Sequence, residues 1–341
     1  MLDQRKLQIL KLIIDDFIDS GQPVGSRTLA KNAALSVSPA TIRNEMADLE
    51  ELGYLYQPHT SAGRIPSDLG YRMYVDHLEK NSRISAKQRA MIRGLLLSGK
   101  IKPEEVVKKA AALMAQMTGM VIVAALPGFK KRHLENLKMI KISDNKVLLI
   151  LVADNEVVKS TMLPFAGTNQ EVLDMISSAL LASLEGSTIE DIDVRKISTL
   201  KFRLRQYENI IDYLVPILRD TLMNIDDVDY HVAGYENIMV LSEKMNPERI
   251  RSMYRLLEDR SVLEKLVEEV DDEGIFIKIG EENLIKEFSQ CTLITTGYRY
   301  RSYDLGRIAV IGPRRMDYQN VISVIEYIKN TLSDIFAGIY L

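Results

Sequence analysis

The stretch PATIRNEMADLEELGYLYQPHTSAGRIPSDLGYRMYVD, Pro39 to Asp76, decides how the chain reads. Ser38 in front of it is a good helix N-cap, and Pro39 takes the first helical position, where a missing N–H costs nothing. Ile42, Met46 and Leu49 recur at i, i+4 and i+7, which makes one apolar stripe. At about 100° per residue, Ala40, Arg43, Asn44 and Ala47 fall on the opposite face. That face carries a cationic fork, an amide and two small side chains. Arg can pair with guanine O6/N7, Asn with adenine N6/N7, and Ala can touch a thymine methyl or let the helix come close. Gly53 ends the helix as a C′ residue. A short strand at Tyr54–Gln57, a polar turn around His59 to Ala62 and a return strand from Gly63 to Pro66 follow, with Arg64 near the tip. A helix followed by such a hairpin is the core of a winged helix, and the reading is a DNA-binding head.

Upstream, a first helix from about Leu2 to Ser20 presents Leu10, Ile13, Ile14, Phe17 and Ile18, and Gly21-Gln22-Pro23 breaks it. Ser26 is expected to cap a short helix running from Arg27 to about Ala33. Two short helices joined by a tight turn, the second exposing hydrogen-bonding groups at its N-terminal end, form a helix-turn-helix. The residues expected to face DNA are Ser26, Arg27, Lys31, Ser38, Ala40, Thr41, Arg43, Asn44, Ala47, Thr60 and Arg64, with Arg72 as a further local cation. After the wing, Ser67 starts a helix with Tyr71, Tyr74, Val75 and Leu78 on one side.

Charge weighs against this reading. The chain is at −3, and residues 1–80 hold nine Lys/Arg against eleven Asp/Glu, so the basic footprint of a nucleic-acid binder is missing. The competing reading of the head is a winged helix used for protein contacts, which Glu45, Asp48, Glu50 and Glu51 would suit.

The chain of 341 residues exceeds what one core usually organises. It holds one cysteine, Cys291, which excludes an intramolecular disulfide and a Cys-based zinc site. The start lacks the apolar run of a signal peptide, and no stretch approaches a membrane span, so a cytoplasmic location is expected. The expected fold class is α+β: a winged helix over 1–80, a helical linker over 81–102, a sheet domain over 103–186 and 261–341, and a mostly helical insertion over 187–260. Strand-like runs occupy Met120–Leu126, Leu134–Ser143, Val147–Ala153 and Val157–Phe165, with Asp154-Asn155 as a hairpin turn. Thr168-x-x-Glu171 reads as a capping box. Strands resume at Ile275–Ile279, Cys291–Thr296 and Arg307–Ile311, before a final helix from about Tyr318 to Ile335. In the insertion, Leu200, Leu204, Tyr207, Ile211, Leu214 and Leu218 step by 4, 3, 4, 3 and 4, close to an a/d seam. That seam reads as a dimer interface or as an ordinary core helix.

No catalytic or cofactor chemistry is visible. The four histidines are scattered, and no phosphate loop, GxGxxG or GxSxG pattern occurs. Asp271-Asp272-Glu273 reads as a solvated turn rather than a metal site. Arg299, Arg301, Arg307, Arg314 and Arg315 form a second basic concentration, read as an edge or interface feature, with an anion or partner site as the alternative.

The Ser38–Asp76 stretch, together with GTNQE at Gly167–Glu171 and GRIAVIGPRRMDY at Gly306–Tyr318, resembles the signature of the HrcA family of bacterial heat-inducible transcription repressors. The resemblance covers essentially the whole chain. It implies a homodimer with a winged-helix head, a GAF-like antiparallel-sheet domain and an inserted dimerising domain. It also implies an inverted-repeat CIRCE operator ahead of chaperone genes and control by the GroEL chaperonin, while no ligand motif carries over to this sequence; no enzymatic activity, cofactor or metal is expected. The alternative is a ligand-sensing regulator whose GAF-like domain binds a small effector.

Overall fold

The computed structural model describes residues 2–30, 37–59, 62–78, 84–98, 103–126, 134–153, 157–165, 167–184, 230–241, 247–268, 274–300 and 303–339, together with 212, 216 and 228. Helix α1 (Gln4–Ser20) starts where the Asp3 carboxylate accepts the Lys6 N–H at 2.8 Å, and stops at Gly21, whose φ of 67° is left-handed. Its Ile9, Leu10, Ile13, Ile14 and Phe17 are buried, as are Leu29 of α2 (Ser26–Leu29) and Ile42, Met46 and Leu49 of α3 (Pro39–Glu51). Fully burying each such side chain is worth about 1.5–3 kcal/mol. These three helices therefore form one small core. Ser26 does not cap α2. Gly25 is the N-cap, its carbonyl takes the Thr28 N–H at 3.0 Å, and Ser26 is the first helical residue.

The end of α3 is a Schellman motif. Gly53, at φ 81°, donates to the Glu50 carbonyl at 2.9 Å, and Tyr54 donates to the Leu49 carbonyl at 2.9 Å. The wing strands are shorter than expected: β1 (Leu55–Tyr56) pairs antiparallel with β2 (Ile65–Pro66). Val24 and Arg64 exchange both backbone bonds at 2.9 Å, which adds the segment after α1 to the hairpin. A Cβ on Gly63 would lie 2.3 Å from the Val24 carbonyl oxygen, so no larger residue fits there. Ser67 caps α4 (Asp68–Asp76), accepting the Gly70 N–H at 3.1 Å while its hydroxyl donates to the Gly53 carbonyl at 2.6 Å. The recognition helix, wing and α4 are thereby tied together.

Helix α5 (Ala86–Leu96) opens on a Ser85/Gln88 capping box and buries Ile92 and Leu96. It is followed by α6 (Pro103–Thr118), β3 (Val121–Ala125), β4 (Leu134–Ser143), β5 (Lys146–Ala153), β6 (Val157–Pro164) and α7 (Gln170–Leu184). The later elements are β7 (Tyr230–Ala233), α8 (Ile238–Leu241), α9 (Pro247–Glu258), α10 (Arg260–Glu268), β8 (Ile275–Ile279), β9 (Cys291–Tyr300), β10 (Tyr303–Pro313) and α11 (Tyr318–Ile339). One five-stranded sheet runs in the order β7-β3-β10-β9-β8. β8 and β9 are antiparallel, with Ile275 opposite Thr296 and Ile279 opposite Thr292. Helix α6 buries Val106, Ala110 and Met114, and α11 buries Tyr318, Val321, Val324, Ile325, Ile328 and Leu332. Thus the fold class is α+β, with a winged-helix head and a GAF-like sheet domain.

The expected domain boundaries need correction. β3 and β7 belong to the same sheet although residues 126–229 separate them. β4, β5 and β6 instead form their own three-stranded antiparallel sheet, with Leu148 opposite both Ile140 and Met162. The chain divides into two compact units: 1–124, 231–298 and 307–335 in one, and 125–230, 299–306 and 336–341 in the other. The insertion therefore begins near 126 rather than 187, and residues 231–260 return to the sheet domain. Consecutive hairpin-linked strands satisfy their ladder bonds on each other, and strand periodicity does not say which sheet a strand joins. Within the inserted unit, Val147, Leu149 and Leu151 are buried, and α7 lies on β4, with Ser177 Oγ accepting the Met139 N–H at 3.1 Å. The cap of α7 is Asn169, which accepts the Val172 N–H at 3.0 Å, so the cap lies one residue past the expected Thr168 and no capping box forms, since Val172 cannot bond back. The Asp154-Asn155 turn, the Leu200–Leu218 seam with its Leu204, Tyr207, Ile211, Leu214 and Leu218, and Asp271-Asp272-Glu273 lie outside the described residues.

Candidate nucleic-acid interface

Ser38 Oγ accepts the Thr41 N–H at 3.1 Å and shares a hydrogen bond with Thr41 Oγ1 at 3.0 Å, which fixes the first turn of α3. Such a cap is worth about 1 kcal/mol. With Ile42, Met46 and Leu49 buried, the helix has one rotational setting, and Ala40, Arg43, Asn44 and Ala47 are exposed together. Ser38 and Arg27 are also exposed, Ser26 and Thr41 are half-buried, and Lys31 and Thr60 lie outside the described residues.

Three of the four carboxylates of α3 are paired with cations of the head, while Glu51 is exposed. Lys6 Nζ sits 2.8 Å from Glu45 and 3.0 Å from Asp48, and Arg5 lies 3.7 Å from Glu45. Hydrogen bonds to Glu45 and then Asp48 hold the Lys6 ammonium above its ordinary titration range. Glu50 is paired with Arg64 at 2.8 Å. Three of the four acidic residues that favoured a protein-contact reading are thus neutralised within the head. This also corrects the expected position of Arg64. It stands at the base of the wing, bridged to Val24 and paired with Glu50, and not near the tip. Any role it has toward phosphate is shared with Glu50.

Arg72 faces the sheet domain. Its Nε donates to Glu282 Oε1 at 2.9 Å, and Nη2 donates to the other Glu282 oxygen and to the Ile277 carbonyl. Arg314 Nη1 reaches Asp68 at 2.7 Å, and its Nη2 donates to Gln290. Arg315 Nη1 donates to the Ile18 carbonyl at 3.1 Å. Between these bonds, the buried Tyr318 ring lies 5.9 Å from that of Tyr71 and 6.3 Å from that of Tyr74. So Arg314 and Arg315 form an interface within the chain, while Arg307 donates to the Val267 carbonyl at 3.2 Å. Sequence reading had no route to these pairs, since Asp68 and Arg314 stand 246 residues apart.

Among the described residues no group of His, Cys, Asp or Glu could hold a metal, no helix is long and apolar enough to cross a membrane, and Cys291 is buried.

Residues 104–322 match the family model described as the HrcA protein C-terminal domain. The chain is 38% identical over 336 residues to the heat-inducible transcription repressor HrcA of Clostridium perfringens (strain SM101), covering 98% of both chains. It is 39% identical over 335 residues to the protein of the same name from Desulforamulus reducens, covering 97% of this chain and 96% of that one. A solved structure described as a hypothetical protein at 2.2 Å resolution superposes with a TM-score of 0.63 at 26% identity, over 99% of this chain and 100% of that one.

Proposed function

Since the chain belongs to the HrcA family and is a transcription repressor of the heat-shock response rather than an enzyme, we propose that it binds an inverted-repeat operator of the CIRCE type as a homodimer and blocks transcription of chaperone genes. The observation that carries this is the face of α3: Arg43 and Asn44 exposed beside Ala40 and Ala47, with Glu45, Asp48 and Glu50 drawn off by Lys6 and Arg64. Each head reads one major groove, the arrangement usual for a helix-turn-helix. A head with a near-balanced charge has few phosphate contacts and binds weakly alone. Joining two heads makes the second half-site contact intramolecular and raises the local concentration of the second head.

Two candidates exist for that joining. One is the a/d-spaced sequence of Leu204, Ile211 and Leu218. The other is the outer face of the three-stranded sheet, where Val158 and Met162 are exposed and Ile140, Leu148, Ile150 and Val152 are half-buried. These apolar side chains, with Lys138 and Ser160 flanking Ile150 on the same face, favour a protein partner. Control by the GroEL chaperonin is proposed from family membership alone.

A mobility-shift assay on an inverted-repeat operator, with and without chaperonin, tests the reading. Expected are a shifted complex of dimer stoichiometry, lost when one half-site is scrambled, and tighter binding with chaperonin present. Equal binding to scrambled DNA would refute it. Sedimentation of Ile211→Glu and Ile150→Glu then assigns the dimer contact, because a charge buried against a partner opens the interface.

A further inference from the structure

We infer that Arg72 and Arg314 are positioning residues that set which half-site spacing the dimer accepts, by clamping the DNA-reading head rigidly to the sheet domain. This rests on the proposed reading of the protein as a dimeric operator binder. The clamp has three parts on different elements. α4 presents Asp68 and Arg72, the β8–β9 connection presents Glu282 and the backbone of Gly280 and Glu281, and the β10–α11 corner presents Arg314, Arg315 and Tyr318. Asp68 receives Arg314 Nη1 at 2.7 Å and the Glu281 N–H at 3.3 Å. It sits so closely over Gly280 that a Cβ there would fall 1.8 Å from its Oδ2. The Arg72 guanidinium binds Glu282 through two nitrogens, a fork geometry that restricts rotation as well as separation. Next to Arg314 in the chain, Arg315 holds the Ile18 carbonyl at the end of α1.

Attachments on three different elements restrict rotation of the head against the sheet domain. α3 is joined to α4 through the Gly53–Ser67 bonds, so its direction is carried over to the sheet domain. In a dimer whose contact fixes the two sheet domains, such bodies present two recognition helices at one separation and one relative angle. On B-DNA each added base pair turns the second half-site by about 35° and moves it about 3.4 Å away. A rigid pair of heads detects that change, whereas heads hung on a loose tether follow it.

The test measures the affinity of the full-length protein for operators whose spacer is varied from two base pairs shorter to two longer, and for a single half-site. Wild type should bind one spacing best and lose roughly tenfold or more at the extremes, as bivalent contact fails. Arg72→Ala/Arg314→Ala should bind the single half-site like wild type, bind the best spacing more weakly, and show a nearly flat spacing profile. Should that variant fold poorly, Arg72→Gln/Asp68→Asn keeps a polar side chain at both positions while removing one charge from each pair, and should flatten the profile in the same direction. Unchanged half-site binding with a spacing profile as sharp as wild type's would overturn the clamp, as would a wild type indifferent to spacing. A wild type that fails to bind the operator at all would instead refute the proposed function on which the inference rests.

Discussion

Lys6 on the first helix and Glu45 on the recognition helix meet at 2.8 Å, and Asp48 joins the same ammonium at 3.0 Å. A residue that touches no base therefore shapes the potential of the base-reading face. Lys6→Ala would leave two carboxylates uncompensated beside DNA phosphate. It should weaken specific and non-specific binding together and leave sequence preference unchanged, as read from titrations on operator and random duplexes. A change in preferred sequence would mean that the α3 face had moved.

Arg43→Ala and Asn44→Ala should do the reverse. If each residue reads a base through a bidentate pair, as proposed, discrimination against mismatched operators should fall by about 1–3 kcal/mol per residue while non-specific affinity changes much less. Arg64→Ala should resemble Lys6→Ala more than Arg43→Ala, because it releases Glu50 at the base of the wing. Competition assays against single-base operator variants distinguish the two patterns.

The two tyrosines of α4 should respond oppositely to loss of their hydroxyls. Tyr71 is 3% exposed and its hydroxyl has no hydrogen-bond partner among the described residues, and burial pushes its phenol above the ordinary range. Tyr71→Phe keeps the ring against Tyr318 and should be neutral or stabilising by up to about 1 kcal/mol. Tyr74 donates to Asp15 at 2.6 Å. Tyr74→Phe strands that carboxylate and should destabilise by about 1.5–3 kcal/mol, the value of a hydrogen bond to a charged group. Thermal or denaturant unfolding gives both values.

Glu282 supplies a pH signature for the docked head. Burial tends to raise its carboxyl, but the hydrogen bonds from Arg72 and the Ile279 N–H outweigh it and hold it below its ordinary 4.5. A carboxyl depressed on folding contributes stability that is fully present above about 4.5 and is lost as pH falls through the lower folded value. Glu282→Gln should therefore lower the melting temperature at neutral pH, and the difference from wild type should shrink below pH 4.5 and close in stronger acid. A gap that stayed constant with pH would show that Glu282 acts by packing alone.

Cys291 is fully buried at the start of β9, so it is shielded from oxidants and behaves as a small apolar side chain. Operator binding should be insensitive to mild peroxide in wild type and in Cys291→Ala alike. An oxidant response abolished by the substitution would contradict this.

The amino-acid sequence by itself determined the head. Ser38 as cap, Pro39 behind it, the Ile42/Met46/Leu49 stripe and Gly53 at the left-handed stop are local devices, acting within one or two turns of the residues that carry them. The same locality made β4 to β6 and the late strands β8 to β10 readable. The tertiary structure decided what depends on contacts between distant segments. Strand β3 pairs in the sheet with β7 across the whole insertion, a choice that strand periodicity leaves open. Arg64 reads from sequence as a DNA-facing residue near the wing tip and Arg72 as a further local cation, yet one is paired with Glu50 and the other with Glu282. The acidic balance of residues 1–80, which argued against DNA, changes meaning once Lys6 and Arg64 draw those carboxylates off the α3 face. A net charge counts groups, whereas binding depends on where the fold places them and what already neutralises them.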